Sequence, residues 1–132
     1  MALLGRNQIL DAKDLKTEDI PVPEWGGEVR IRMLTGEERD QFEASMVELK
    51  KDGTTKANRE NVRARLLVLC IVNEQGEQMF NRADIKLLGR KSAKALERVI
   101  NAANELNGIS EKDIEDLAEG FDSDPNEGGT SD

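Results

Sequence analysis

The side chains that could do covalent or acid–base chemistry are few. The chain has no histidine, no tyrosine and one cysteine. This removes the commonest general base, the commonest transition-metal ligand and the Ser-His and Cys-His nucleophile pairs. Cys70 lies in "LLVLCIV", where a free thiol usually packs as a small hydrophobe; a reactive thiol is the alternative. "GRKSAKA" from Gly89 offers a lysine and a serine, but no glycine-rich loop precedes it. It reads as a helix start rather than a phosphate cradle. The 27 acidic residues are scattered or gathered at the C-terminus, with no Asp-x-Asp-x-Asp calcium loop. No enzyme, metal or cofactor is expected from such a set.

The 132 residues suffice for one compact domain. Residues 1–110 carry 18 basic and 18 acidic side chains; residues 111–132 carry one and nine, which accounts for the whole net charge of −8. Acidic tails of this kind solvate or contact partners. No basic stripe with stacking aromatics appears, so nucleic acid is not an expected partner. No apolar run reaches 18 residues, so no membrane span is expected. "MALLGRNQIL" is too short and polar for a signal peptide. Together these features suggest a cytosolic protein.

The elements that must position these residues follow from periodicity. "NQILDAKDL" makes a short helix capped by Asn7, with Ile9 and Leu10 its first apolar residues. "EDIPVPEWGGEVRIRML" predicts a β-hairpin over about 18–34. Pro21 and Pro23 cannot donate to a ladder, so the first strand belongs at an edge. The Gly26–Gly27 pair suits the turn. Val29, Ile31 and Met33 then alternate with Glu28, Arg30 and Arg32, the period of a strand.

Helices are expected over about 36–119. Thr35 and Glu38 have capping-box spacing. Phe42, Met46 and Leu49 fall at i, i+4 and i+7 of a helix that breaks at Gly53 in the loop "KKDGTTKAN". Asn58 caps a wide apolar helix, "RENVRARLLVLCIV", the expected centre of the core. A turn at Gly76 returns Met79 and Phe80 to the core. Asn81 caps a short helix ended by Gly89, and Ser92 starts another ended by Gly108, with Ile109 folding back. Ser110 and Asp113 open a last turn or two, with Ile114 and Leu117 inward. From Gly120 periodicity is lost, and disorder is expected over 120–132. The fold class is α+β, mostly α: an N-terminal hairpin on about four or five helices, with a disordered acidic tail.

"ILDAKDLKTEDIPVPEWGGEVRIRMLTGEERDQFEASM" resembles the N-terminal half of the tail assembly chaperones of long-tailed, siphovirus-type bacteriophages. The most specific residues are Val22-Pro23-Glu24-Trp25-Gly26-Gly27, Val29-Arg30-Ile31-Arg32, Leu34-Thr35-Gly36 and Glu38-Arg39. "ADIKLLGRKSAKALERVINAANELNGIS" is similar to the family's later helices. The likeness runs from about residue 8 to 121. It departs mildly, with Ile31 for a commoner valine and a variable loop at "KKDGTTKAN". The resemblance implies a single chaperone domain over 1–119 and no catalysis. It implies that the chain binds the tape measure protein and keeps it soluble until tail tube protein polymerises around it. It also implies work in the host cytoplasm, absence from the mature virion, and a longer product made by programmed frameshift, of which this chain would be the shorter counterpart.

Five residues are candidate partner contacts: Trp25, Met33, Phe42, Met46 and Leu49. Tryptophan is enriched at binding hot spots, and methionine adapts to varied surfaces. Each has an ordinary alternative. Trp25 can fold back over Val22 or the first helix, and the Phe42–Met46–Leu49 stripe can be core. Self-association through the strand Val29–Met33 would make a homo-oligomer, unless its alternating charges protect an edge. A structural virion component, such as a head–tail connector or tail completion protein, is the alternative function.

Overall fold

The structure, a computed structural model, describes residues 2–110. Helix α1 spans Arg6–Asp11, and strands β1 (Thr17–Val22) and β2 (Gly27–Arg32) follow. Helix α2 spans Gly36–Ser45, strands β3 and β4 cover Val47–Leu49 and Thr55–Ala57, and helix α3 covers Val62–Cys70. Strand β5 is Ile71–Val72, helix α4 Ile85–Gly89 and helix α5 Ala93–Asn107. The expected turns around Ile114 and Leu117, and the expected tail over 120–132, lie outside the described residues.

The hairpin β1–β2 forms as its alternation requires. Ile20 sits opposite Val29, and Pro21 opposite Glu28. The prolines fall on the outer strand, because the sheet order is β1-β2-β5. Pro23–Trp25 makes one 3-10 turn, and Gly26 takes φ 75°, a conformation that costs glycine little. The inner face of the hairpin, with Ile20, Val22 and Ile31 buried, packs on α5.

Strand β5 corrects the expected end of the central helix. Ile71 and Val72 were expected to end the central helix. Instead the helix stops at Cys70, and these β-branched residues pair with β2, Ile71 opposite Ile31 and Val72 opposite Arg30. β2 is therefore the middle strand, and within Val29–Met33 the residues Arg30 and Ile31 pair with β5. The same helix starts at Val62 rather than beside Asn58, whose side chain accepts from the Glu60 N–H at 3.2 Å in a turn.

The second correction concerns α2. Its start is the expected one: Thr35 Oγ1 accepts from the Glu38 N–H at 3.1 Å, and Glu38 Oε1 accepts from the Thr35 N–H at 3.0 Å. Its end comes at Ser45, and β3 and β4 form a second hairpin where a loop was expected, with Gly53 at φ 87° in its turn. Arg65 of α3 ties this hairpin down. Its guanidinium donates to the carbonyls of Ser45, Asn58 (2.5 Å) and Glu60 (3.0 Å). Partial burial pushes its pKa down, with Glu60 opposing.

Helix α5 follows its sequence signals. Ser92 Oγ accepts from the Ala95 N–H at 3.3 Å, and Ala95, Leu96, Val99, Ile100 and Ala103 make the buried stripe. Gly108 closes the helix at φ 67°, and the Ile109 N–H returns to the Asn104 carbonyl at 2.8 Å. α3 lies centrally, packed on α5, α4 and α2. Helix α1 is different: Gly5, not Asn7, is its N-cap, and it buries no residue.

Candidate interaction surfaces

The five candidate contacts do not form one surface. Phe42 and Met46 are buried in the core, so a partner could reach them only by opening it. They differ from Leu49 because α2 ends at Ser45: Leu49 lies on β3, 74% exposed, and no helical stripe joins the three. Met33 is half-buried beyond the end of β2, where its N–H donates to the Lys16 carbonyl at 2.8 Å.

Trp25 has the most telling position. It is half-buried and packs against the core, yet it lines an open groove of about 540 Å³. The apolar lining also includes Val29, Ile71, Phe80 and Leu88, with Met79 half-exposed beside them. Met79 was expected in the core. The chain leaving β5 turns at Gly76, and Met79 keeps a backbone bond to Ile71 while its side chain stays 52% exposed.

Ion pairs tie together the elements around the groove. Arg98 on α5 grips Glu24 beside Trp25, and its guanidinium holds the Glu24 carboxyl below the ordinary carboxylate range. Arg30 grips Asp19 across the hairpin with bonds of 2.7 and 3.1 Å, which lowers the Asp19 pKa in the same way. Arg32, on the same strand face, donates to Glu38 at 2.7 Å and to the Leu69 carbonyl at 3.0 Å. Strand charges that read as protection for an edge are thus struts between elements.

Two further residues had no sequence signal. Asn107 accepts from the Leu34 N–H at 2.6 Å and donates to the Ala103 carbonyl at 2.9 Å, which joins the end of α5 to the entry of α2. Asn104 is buried, and its Oδ1 has no hydrogen-bond partner. Long-range amide bonds of this kind leave no periodic trace.

Burial pushes the Cys70 thiol up to about 12, so it stays protonated near neutral pH. Ser92 is a helix cap. Among the described residues, no group of three or more His, Cys, Asp or Glu is placed to hold a metal, and no helix is long and apolar enough to cross a membrane. What these residues build is a small α+β fold with an open apolar groove edged by charge.

The comparisons give that fold its family. The phage tail assembly chaperone family matches residues 6–119, and the chain belongs to it. The chain is also similar in fold to the solved structure of the bacteriophage HK97 tail assembly chaperone. There the TM-score is 0.53 at 17% identity, over 80% of this chain and 95% of that one. A search of curated proteins finds no match.

Proposed function

We propose that this chain binds the tape measure protein and keeps it soluble during tail assembly, without catalysis. The observation that carries this reading is the family match over residues 6–119, which takes in every described element from α1 to α5. The physical support is the kind of surface the chain exposes. A long amphipathic helix is held by helix-in-groove packing. The groove floored by Trp25, Val29 and Phe80 offers apolar contact, with charged residues at its rim. One domain of this size covers a short stretch of client, so several copies act along one chain and hold it by multivalency.

The same proposal places the chain in the host cytoplasm during infection and leaves it out of the finished particle. Tail tube protein, other copies of the chain and a longer frameshift product are the further partners in this scheme. Mass spectrometry of purified virions tests the placement. The chain should be absent or scarce there and abundant in infected-cell extract. Stoichiometric amounts in the virion would make it a structural component, such as a connector or tail completion protein.

A further inference from the structure

The groove beside Trp25 carries a charge that its own ion pairs do not cancel. Its lining holds three carboxylates, Asp19, Glu28 and Glu74, and one cation, Arg30. Arg30 is already engaged. Its Nε and Nη2 donate to the Asp19 carboxylate at 2.7 and 3.1 Å, and its Nη1 donates to the Glu74 carbonyl at 3.3 Å. The Glu28 and Glu74 carboxylates form no salt bridge among the described residues. Glu24, next to Trp25, is held by Arg98, with Lys94 nearby. The free negative charge of the groove therefore lies on its Glu28 and Glu74 side.

The apolar part of the groove has little power to choose. Trp25, Val29, Ile71, Phe80 and Leu88 offer contact that has no direction of its own. Met79, half-exposed beside them, carries a flexible thioether chain that re-packs around side chains of different shape. Such a floor accepts most apolar stripes of a helix. Discrimination falls to the fixed charges of the rim, which favour an opposite charge and oppose a like one. Glu28 and Glu74 are both exposed, so a cation can reach them from solvent without being buried.

We infer that the groove selects client stretches in which a lysine or arginine flanks the apolar stripe, and disfavours stretches with a carboxylate there. Glu28 and Glu74 receive the cation, while Trp25 and its apolar neighbours receive the stripe. The inference rests on the reading that this groove holds an amphipathic helix of the client. On a long helical client, the basic-flanked apolar stretches are covered first, and rim charge sets where the copies sit.

Trp25 is the only tryptophan, so its emission reads the groove directly in the full chain. The probes are synthetic amphipathic helical peptides without tryptophan, with one leucine stripe flanked by lysine, by glutamine or by glutamate. The lysine probe should bind about five-fold more tightly than the glutamine probe at low salt, and the glutamate probe more weakly than either. The gap should close in about 1 M salt, where the screening length is about 3 Å. The double variant Glu28→Gln, Glu74→Gln should bind the glutamine probe as the wild type does and lose the preference for lysine. Glu37→Gln, Glu48→Gln, which removes two exposed carboxylates outside the groove, should keep it. Equal binding of all the probes, or a preference that survives in Glu28→Gln, Glu74→Gln, would overturn the inference. So would Trp25 emission that answers to no probe, or that shifts with protein concentration alone, since the groove would then be closed to helices or filled by a second copy. A tape measure chain that co-purifies despite any of these results leaves the chaperone reading standing. One that never co-purifies removes that reading, and not the charge preference of the groove.

Discussion

Arg98 on α5 holds Glu24 with two bonds, Nε to Oε1 at 3.2 Å and Nη2 to Oε2 at 3.0 Å, across 74 residues of sequence. The paired geometry fixes direction as well as distance. It pins the 3-10 turn carrying Trp25 onto the longest helix of the described fold. The one tryptophan is thus held at the groove from behind, by charge, and from below, by the core.

The pH dependence of that turn follows from the sign of the shift. Hydrogen bonding to Arg98, with Lys94 nearby, lowers the folded pKa of Glu24. The stabilisation is therefore present above the ordinary carboxylate pKa and is lost as pH falls through the folded value. Trp25 emission should shift to the red in acid, below the usual carboxylate range. Asp19 has the same sign and lines the same groove, so Glu24→Gln is the variant that separates them. It should remove part of the acid transition and leave the rest. An unchanged acid profile would mean that the pair does not hold the turn.

Met46 and Leu49 should behave as opposites despite their helical spacing. Met46→Ala opens a cavity in a closed core and should cost about 2–5 kcal/mol in urea unfolding. Leu49→Ala removes an exposed side chain on β3 and should stay within about 0.5 kcal/mol. Similar costs for the two would contradict the end of α2 at Ser45.

Asn107→Ala should cost about 1–3 kcal/mol, because the Leu34 N–H loses its acceptor in a partly buried place. Hydrogen exchange at Leu34 should quicken in the same variant. A stable variant with unchanged exchange would show that the contact carries no weight.

Cys70 should label slowly with a thiol reagent in the native state and fast in urea. Two causes act together: the side chain is fully buried, and the thiol is pushed up to about 12. Rapid native labelling would contradict its place on the central helix.

Much of the scaffold was legible because it obeys local rules. The alternation of residues 28–33, the Thr35–Glu38 box, the Ser92 cap and the Gly108 close all depend on neighbours within a few positions. The missed parts depend on distant partners. Ile71 and Val72 continue an apolar run, and only pairing with β2 separates them from the helix. Strands β3 and β4 are three residues each, too short to show a period of two, and they rest on Arg65. The surface was legible only in part for the same reason. Trp25 stood out by its turn, but the wall formed by Met79 and Phe80 comes from the far side of β5. Phe42 and Met46 were ambiguous, because an apolar stripe has the same sequence whether it faces a core or a partner.

The central claim is that this chain keeps a tape measure protein soluble by binding it directly. Co-expression with the tape measure chain of the same genome tests it most directly, with soluble yield and copies per client read by light scattering on the purified complex. The account predicts a large rise in soluble client and a complex with several chaperone copies on each client chain. A client that stays insoluble and does not co-purify, while the chaperone alone is folded and abundant, would contradict it.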